Sequence, residues 1–218
     1  MSARRLTRLG ILATAWLLAT GAVGGCPFFK PTEPEIPNRP PIPTDYSIPT
    51  QTLATLARGM VDKTANGQTV YLSAFADSSA VSVGDGRFYR AFFDPRDLIE
   101  APPHDAEWTK ELEPYAFNYL VTKNSLPFEM TWEPYEPAGN ETGGPDDSLL
   151  HRKYRIVAVD QRTNNVTRTT LAVGAADLQF VKSKRDAGKW VIATWQDFRA
   201  IGADSALVTF GRYRLESR

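Results

Sequence analysis

Apolar positions recur at helical spacing through "TLATLARGMV", where Leu53, Leu56, Ala57, Met60 and Val61 share one face. Pro49 and Thr50 suit the start of that helix, because proline fits a first helical turn. Asn66-Gly67 is expected to break it. "QTVYLSAFAD" then sets Val70, Tyr71, Ala74 and Phe75 on a second helical face. Two short strands are expected in "AVSVGDGRFYRAFF", turning at Asp85-Gly86. A third helix is expected over "HDAEWTKELEPYAFNYLVTK", with Asp105 as N-cap and a stripe of Trp108, Leu112, Tyr115 and Tyr119. Pro114 inside that run should kink or divide it near Glu113.

Beyond residue 127 the period changes to two. "FEMTWEPY" alternates Phe128, Met130 and Trp132. After a polar loop, "EPAGNETGGPDDS", four more segments read as strands: "YRIVAVD", "TTLAVGAADLQFVK", "KWVIATWQD" and "ALVTFGRYRLE". Asp186-Ala187-Gly188 suits a tight hairpin between the second and third of these. Trp190 and Trp195 are an odd number of residues apart, so an unbroken strand would send them to opposite faces. One alternating set must face the helices, Val191, Ala193 and Trp195 or Trp190, Ile192 and Thr194; the first is expected, small Ala193 leaving room and Trp195 closing the mouth near Asp197, although Trp190 and Ile192 make the more apolar pair. Helices first and an antiparallel meander afterwards predict an α+β fold, N-terminal helices packed on one face of a curved sheet.

The first residues follow a different pattern. Arg4, Arg5 and Arg8 precede an almost wholly apolar run, Leu9 to Val23, which closes on Gly24 and Gly25. A positive start, an apolar middle and a small-residue exit describe a secretory signal peptide. As a permanent span the run is marginal, since about 20 apolar residues are needed to cross the hydrocarbon core. "VGGC", Val23 to Cys26, ends in the single cysteine of the chain and resembles the lipobox of bacterial lipoproteins. That resemblance implies a diacylglyceryl group on the Cys26 sulfur, cleavage before Cys26 and acylation of the new amino group. An odd cysteine in an exported chain needs a use, and lipidation supplies one. Two or more acyl chains hold a protein firmly at a membrane. Pro27 stands where an aspartate would mark inner-membrane retention, so the resemblance favours the outer membrane.

Residues 27–50 hold eight of the sixteen prolines and read as an extended tether. The expected organisation is a signal over 1–25, the lipidated cysteine and tether over 26–46, and one domain over 47–218. Loss of the signal removes three of 25 basic residues, leaving 22 against 25 acidic ones, a net charge of −3. That is no footprint for nucleic acid. With Cys26 acylated, no disulfide or thiol chemistry is left. His104 and His151 lack paired metal spacing and read as exposed loop residues. No serine sits in a G-x-S-x-G elbow, and "GDG" at 84–86 is a turn without phosphate-loop spacing. Glu136, Glu141, Asp146 and Asp147 lack the order of a calcium loop and read as a solvated stretch. No metal or cofactor is expected.

The order helix, helix, hairpin, helix and strands, with "AFAD" closing the second helix, resembles the nuclear transport factor 2-like superfamily, which includes ketosteroid isomerase-like and polyketide cyclase-like proteins. The resemblance implies a cone whose helices cover a strongly bent sheet around a pocket. A cystatin-like sheet around one helix is the alternative. Enzymes of the superfamily place an acid or base in that pocket, where apolar surroundings hold a carboxyl group's proton. The candidates here would be Asp77, Tyr71 and Asp197. A cavity lined by Tyr71, Phe75, Trp132 and Trp195 would take a small apolar or amphipathic molecule. Three readings stay open. The leading one is a lipid-anchored envelope protein that binds a partner protein or small apolar ligand without catalysis. The others are an envelope enzyme of the isomerase or cyclase kind and a structural envelope component.

Overall fold

Pro49 begins helix α1 (Pro49–Asp62), and Leu53, Leu56, Ala57 and Met60 are its buried stripe, as the spacing predicts, whereas Val61, expected on the same face, is exposed. Lys63, at φ 59°, takes the left-handed conformation that ends it. The break therefore comes before Asn66-Gly67, which lies in the first turn of α2 (Ala65–Leu72), where the Thr64 side chain accepts a hydrogen bond from Gly67 N at 3.1 Å. Val70, Tyr71, Ala74 and Phe75 are all buried, but α2 ends at Leu72, so Ala74 and Phe75 lie beyond the helix, with Phe75 bridged to Ile192, rather than on one helical face as expected. This computed structural model describes residues 40–77, 88–100, 107–162, 165–201 and 206–218. Cys26 and the signal, the tether up to residue 39, the Asp85-Gly86 turn, His104 and Asp105 lie outside the described residues.

The remaining elements are β1 (Arg90–Phe92), α3 (Pro95–Glu100), β2 (Trp108–Thr109), α4 (Glu113–Lys123), β3 (Phe128–Pro134), β4 (Thr142–Gly143), β5 (Asp147–Asp160), β6 (Thr167–Lys182), β7 (Trp190–Phe198) and α5 (Phe210–Glu216). The strands form one sheet in the order β2-β1-β7-β6-β5-β3, with β4 on β5. Every pair is antiparallel except β1 on β7. The result is a mixed α+β fold with a strongly curled, half-barrel sheet. β5 and β6 run 14 and 16 residues, and both ladders carry a register shift, a device that bends a sheet.

Partners across an antiparallel ladder share a face. Phe128, Met130 and Trp132 of β3 oppose Ala158, Ile156 and Tyr154 of β5, which confirms the alternation expected of "FEMTWEPY". On β7, Trp195 pairs with Leu178 and Ile192 with Phe180, while Ala193 has no partner in the ladder. Leu178 and Phe180 lie two apart on β6, so Trp195, Ile192 and Trp190 share one face. Neither simple alternating set is observed. Trp195 faces inward as expected, but Val191 does not share its face, because the bulge at Ala193 shifts the period by one.

Four further expectations are corrected. The described part of the run expected as one helix from 104 holds strand β2, and helix α4 starts only at Glu113, with Pro114 in its first turn, which agrees with the division expected there. The buried side of α4 is Glu113, Ala116, Phe117 and Leu120, and Tyr115 is exposed. The last segment, read as a strand, contains α5, whose buried positions Phe210, Gly211, Arg214 and Leu215 have helical spacing. The end of the tether is engaged: Arg58 Nη1 donates to Pro43 O at 3.0 Å, Thr55 Oγ1 to Asp45 O at 2.8 Å and Trp190 N to Tyr46 O at 2.8 Å. The hairpin after β6 is as expected, with Gly188 at φ 83° and Lys189 N donating to Asp186 O at 2.9 Å.

Helices α1 and α2 meet glycine to glycine. A Cβ on Gly59 would fall 2.5 Å from Tyr71 N and 2.7 Å from Gly67 O, both backbone atoms that cannot turn aside. Gly59→Ala is expected to destabilise by about 1–2 kcal/mol, overpacking of up to about 3 kcal/mol outweighing the roughly 1 kcal/mol of helix propensity gained. Urea unfolding monitored by far-ultraviolet circular dichroism measures the difference, and an alanine variant as stable as wild type would contradict this packing.

Candidate functional site

Two places gather the polar and aromatic residues of the domain. The first is the interior beneath α5. Arg214 and Glu113 are both wholly buried, with Arg214 Nε 2.9 Å from Glu113 Oε1. Tyr71 donates its hydroxyl to Glu113 Oε2, Tyr89 donates to Oε1 at 2.7 Å, and Trp108 Nε1 donates to Oε1 at 3.0 Å. Arg214 also donates through Nη2 to the Tyr89 hydroxyl at 3.0 Å, and its guanidinium lies 4.2 Å from the Trp195 ring centre and 4.6 Å from that of Phe210. Burial works against the Arg214 charge, yet Glu113, Tyr89, Tyr71 and Asp197 together hold its pKa above the ordinary value. Burial, reinforced by the neighbouring carboxylate, raises the tyrosine pKa values: Glu113 acts on Tyr71 and Tyr89, and Asp197 on Tyr154.

Asp197 completes this interior. Tyr154 donates its hydroxyl to Oδ1 at 2.7 Å, and Gly211 N donates to Oδ2 at 2.6 Å. Phe210 N donates to the Tyr154 hydroxyl at 2.7 Å, so both residues tie β5 and β7 to the start of α5. Burial pushes the Asp197 carboxyl up to about 7, against the pull of Arg214 and of its two hydrogen-bond donors. A raised carboxyl pKa is the property an acid or base inside such a fold would need. Here, however, only 1% of the residue is exposed, and each oxygen is already engaged by the fold.

The second place is a groove of about 640 Å³ between α1 and β3. Its α1 wall is Thr50, Leu53, Ala54, Ala57, Arg58 and Val61, a single helical stripe. Met130, Thr131, Trp132 and Pro134 of β3 form the other wall, with Arg152 of β5. No acidic side chain is among its described lining residues. The volume falls in the roughly 300–1,000 Å³ range of small-molecule sites.

Of the residues singled out from the sequence, Trp132 lines this groove. It also touches the interior, its ring centre 5.4 Å from Trp195 and 5.6 Å from Tyr154. Tyr71 and Phe75 pair edge-to-face at 5.0 Å and are sealed beneath α4 and β1, with Phe75 bridged to Ile192. Trp195 and Asp197 are sealed beneath α5. Asp77 stands apart at the surface, 3.0 Å from Arg185. Sequence reasoning missed Glu113, Arg214, Tyr89 and Tyr154. Glu113 carried one signal, an acid at the proline that opens a helix, but nothing local shows that it turns inward. His151 is buried on β5 rather than exposed in a loop, with Nδ1 2.5 Å from Asp177 Oδ1 across the ladder. Glu141 of the acidic stretch pairs with Arg152. Among the described residues no group of three or more His, Cys, Asp or Glu is placed to hold a metal, and no helix is long and apolar enough to cross a membrane.

Neither a protein-family model nor a curated protein sequence matches this chain. Solved structures of similar shape include a protein of unknown function from Mycobacterium tuberculosis, at 9% identity and TM-score 0.48, covering 77% of this chain and 85% of that one. A putative dehydratase of the nuclear transport factor 2-like family from Streptomyces avermitilis is 7% identical with TM-score 0.47, covering 71% and 94%. A nuclear transport factor 2-like protein with a cystatin-like fold from Novosphingobium aromaticivorans is 9% identical with TM-score 0.43, covering 72% and 81%. Likenesses this distant assign no activity.

The Asp197 carboxyl makes a test of the sealed interior. Its pKa rises from an ordinary 3.8 to about 7 on folding, so folding takes up a proton between those values. The associated stability is complete below pH 3.8 and is lost as pH rises through 7. Asp97, also raised by burial, acts in the same direction. The thermal midpoint is expected to fall between pH 5 and pH 8, and Asp197→Asn should flatten that fall. Differential scanning calorimetry across this range checks it, and an equally steep fall in the variant would refute the assignment.

Proposed function

We propose that this is a lipid-anchored protein of the bacterial cell envelope, related in fold to the nuclear transport factor 2-like group, whose domain binds a small apolar ligand in the α1–β3 groove without catalysis. The observation that carries the reading is the contrast between the two places described above. The groove is open and mostly apolar, while the carboxylates suited to acid or base work, Glu113 and Asp197, are closed off and committed to hydrogen bonds within the fold. A catalytic group must come within hydrogen-bond reach of a bound substrate. Neither acid lines the groove. The anchor rests on the apolar leader and on Cys26 after Val23-Gly24-Gly25.

The neutral probe N-phenyl-1-naphthylamine, whose emission rises in apolar surroundings, is expected to bind the domain with one saturable site. Ala54→Trp and Val61→Trp place bulk in the groove from partly exposed positions and should each weaken that binding at least tenfold, with the circular dichroism spectrum unchanged. Absence of saturable binding, or equal binding by both folded variants, ends the groove reading. The anchor is tested separately in a bacterial host: wild type should incorporate radiolabelled palmitate, and Cys26→Ser should remain unlabelled and uncleaved before residue 26. Equal labelling of the two excludes lipidation at Cys26.

A further inference from the structure

The polar groups that line the groove are all donors or carry hydroxyls. Arg58 stands on the α1 wall and Arg152 beside the β3 wall, with Thr50, Thr131 and the Trp132 indole between apolar side chains. The Trp132 Nε1 atom is buried and has no hydrogen-bond partner. Glu141 pairs with Arg152 from outside the described lining and also accepts from His151 N at 3.1 Å, so the Arg152 charge is already balanced. Arg58 differs. It is exposed, its Nη1 donates to the Pro43 carbonyl, and no carboxylate among the described residues lies within 4.0 Å of it. Asp45, the acid on which Arg58 acts through space, has Oδ1 engaged by Ser47 N at 2.9 Å and does not line the groove. Arg152 thus has a carboxylate in direct contact, whereas Arg58 has Asp45 acting on it only through space, which leaves Arg58 as the groove cation without a carboxylate within 4.0 Å among the described residues.

Resting on the groove reading, we propose that the ligand is an amphipathic monoanion: an apolar body against Leu53, Ala57, Met130 and Trp132, and a carboxylate-like head at Arg58. Such a head would give the guanidinium the oxygen acceptors that match its planar donor fork, a contact that Asp45 does not make. A neutral body of the same shape would fill the same volume and leave Arg58 without that contact. A cationic amphiphile would bring a like charge beside Arg58.

Two probes with nearly the same aromatic body separate this inference from the reading beneath it. 8-Anilinonaphthalene-1-sulfonate carries one negative charge, and N-phenyl-1-naphthylamine carries none. Arg58→Met keeps a long apolar stem and removes the charge. It is expected to weaken the sulfonate about tenfold and to change the neutral probe by less than twofold. Because Arg58 is exposed, 0.5 M sodium chloride should weaken the sulfonate on wild type and leave the neutral probe unaffected. Glu141→Gln releases Arg152 and should tighten the sulfonate several-fold. If both probes bind in the groove and Arg58→Met treats them alike, the preference for an anion is overturned and the groove reading survives. If Ala54→Trp and Val61→Trp leave both probes bound, the groove reading fails and this inference falls with it.

Discussion

The structure depends on one ion pair that water never reaches. Arg214 and Glu113 meet in the interior, and an unpaired charge there would cost several kcal/mol. The surroundings are arranged to avoid that cost. Tyr71 from α2, Tyr89 before β1 and Trp108 from β2 all donate to the Glu113 carboxylate, while Trp195 and Phe210 present ring faces to the guanidinium. Tyr71, Tyr89 and Trp108, on three separate segments, are held by hydrogen bonds to two oxygen atoms. Packing alone would permit small shifts of α4 against the sheet. A carboxylate with named donors does not, because each donor misplaced is a buried polar group without a partner.

The same logic explains why the most perturbed carboxyl group is no guide to a reaction. Burial and charge neighbours shift a pKa in a catalytic pocket, but they do so equally in a structural network. Asp197 is shifted by its burial, which outweighs the opposing pull of Arg214 and of the hydrogen bonds from Tyr154 and Gly211 that fasten α5 to β5 and β7. What distinguishes the groove is the opposite property. Its polar residues are not all consumed by the fold, and its apolar residues are not all covered.

Much of this architecture was legible in the chain. The stripe on α1, the alternation of β3, the hairpin before β7 and the α+β order all follow from local periodicity, which survives folding when a segment packs on one side only. The failures share a different cause. The bulge at Ala193 depends on where β6 bends, and no residue of β7 announces it. The helix at Phe210–Glu216 is short, rich in aromatic residues and arginine, and held by contacts to Tyr154 and Asp197 rather than by its own propensity. Missing that helix hid Arg214, and without Arg214 there was no reason to turn Glu113 inward. Trp132 lines the groove, but the cavity expected from the sequence joined it to Tyr71, Phe75 and Trp195, which are sealed in the interior. Arg58 and Arg152 were not foreseen, since an arginine on a helix and one on a strand carry no mark of sharing a space.

The placement of the central pair also orders events in time. Glu113 precedes all the long strands, and Arg214 follows all of them. The acid and its cation can come together only after β3, β5, β6 and β7 have been laid side by side. Contacts so distant in sequence close slowly, because the loop between them must first lose its freedom. Until then both charges stay hydrated, so the desolvation of the pair falls with the last pairing of the sheet rather than before it.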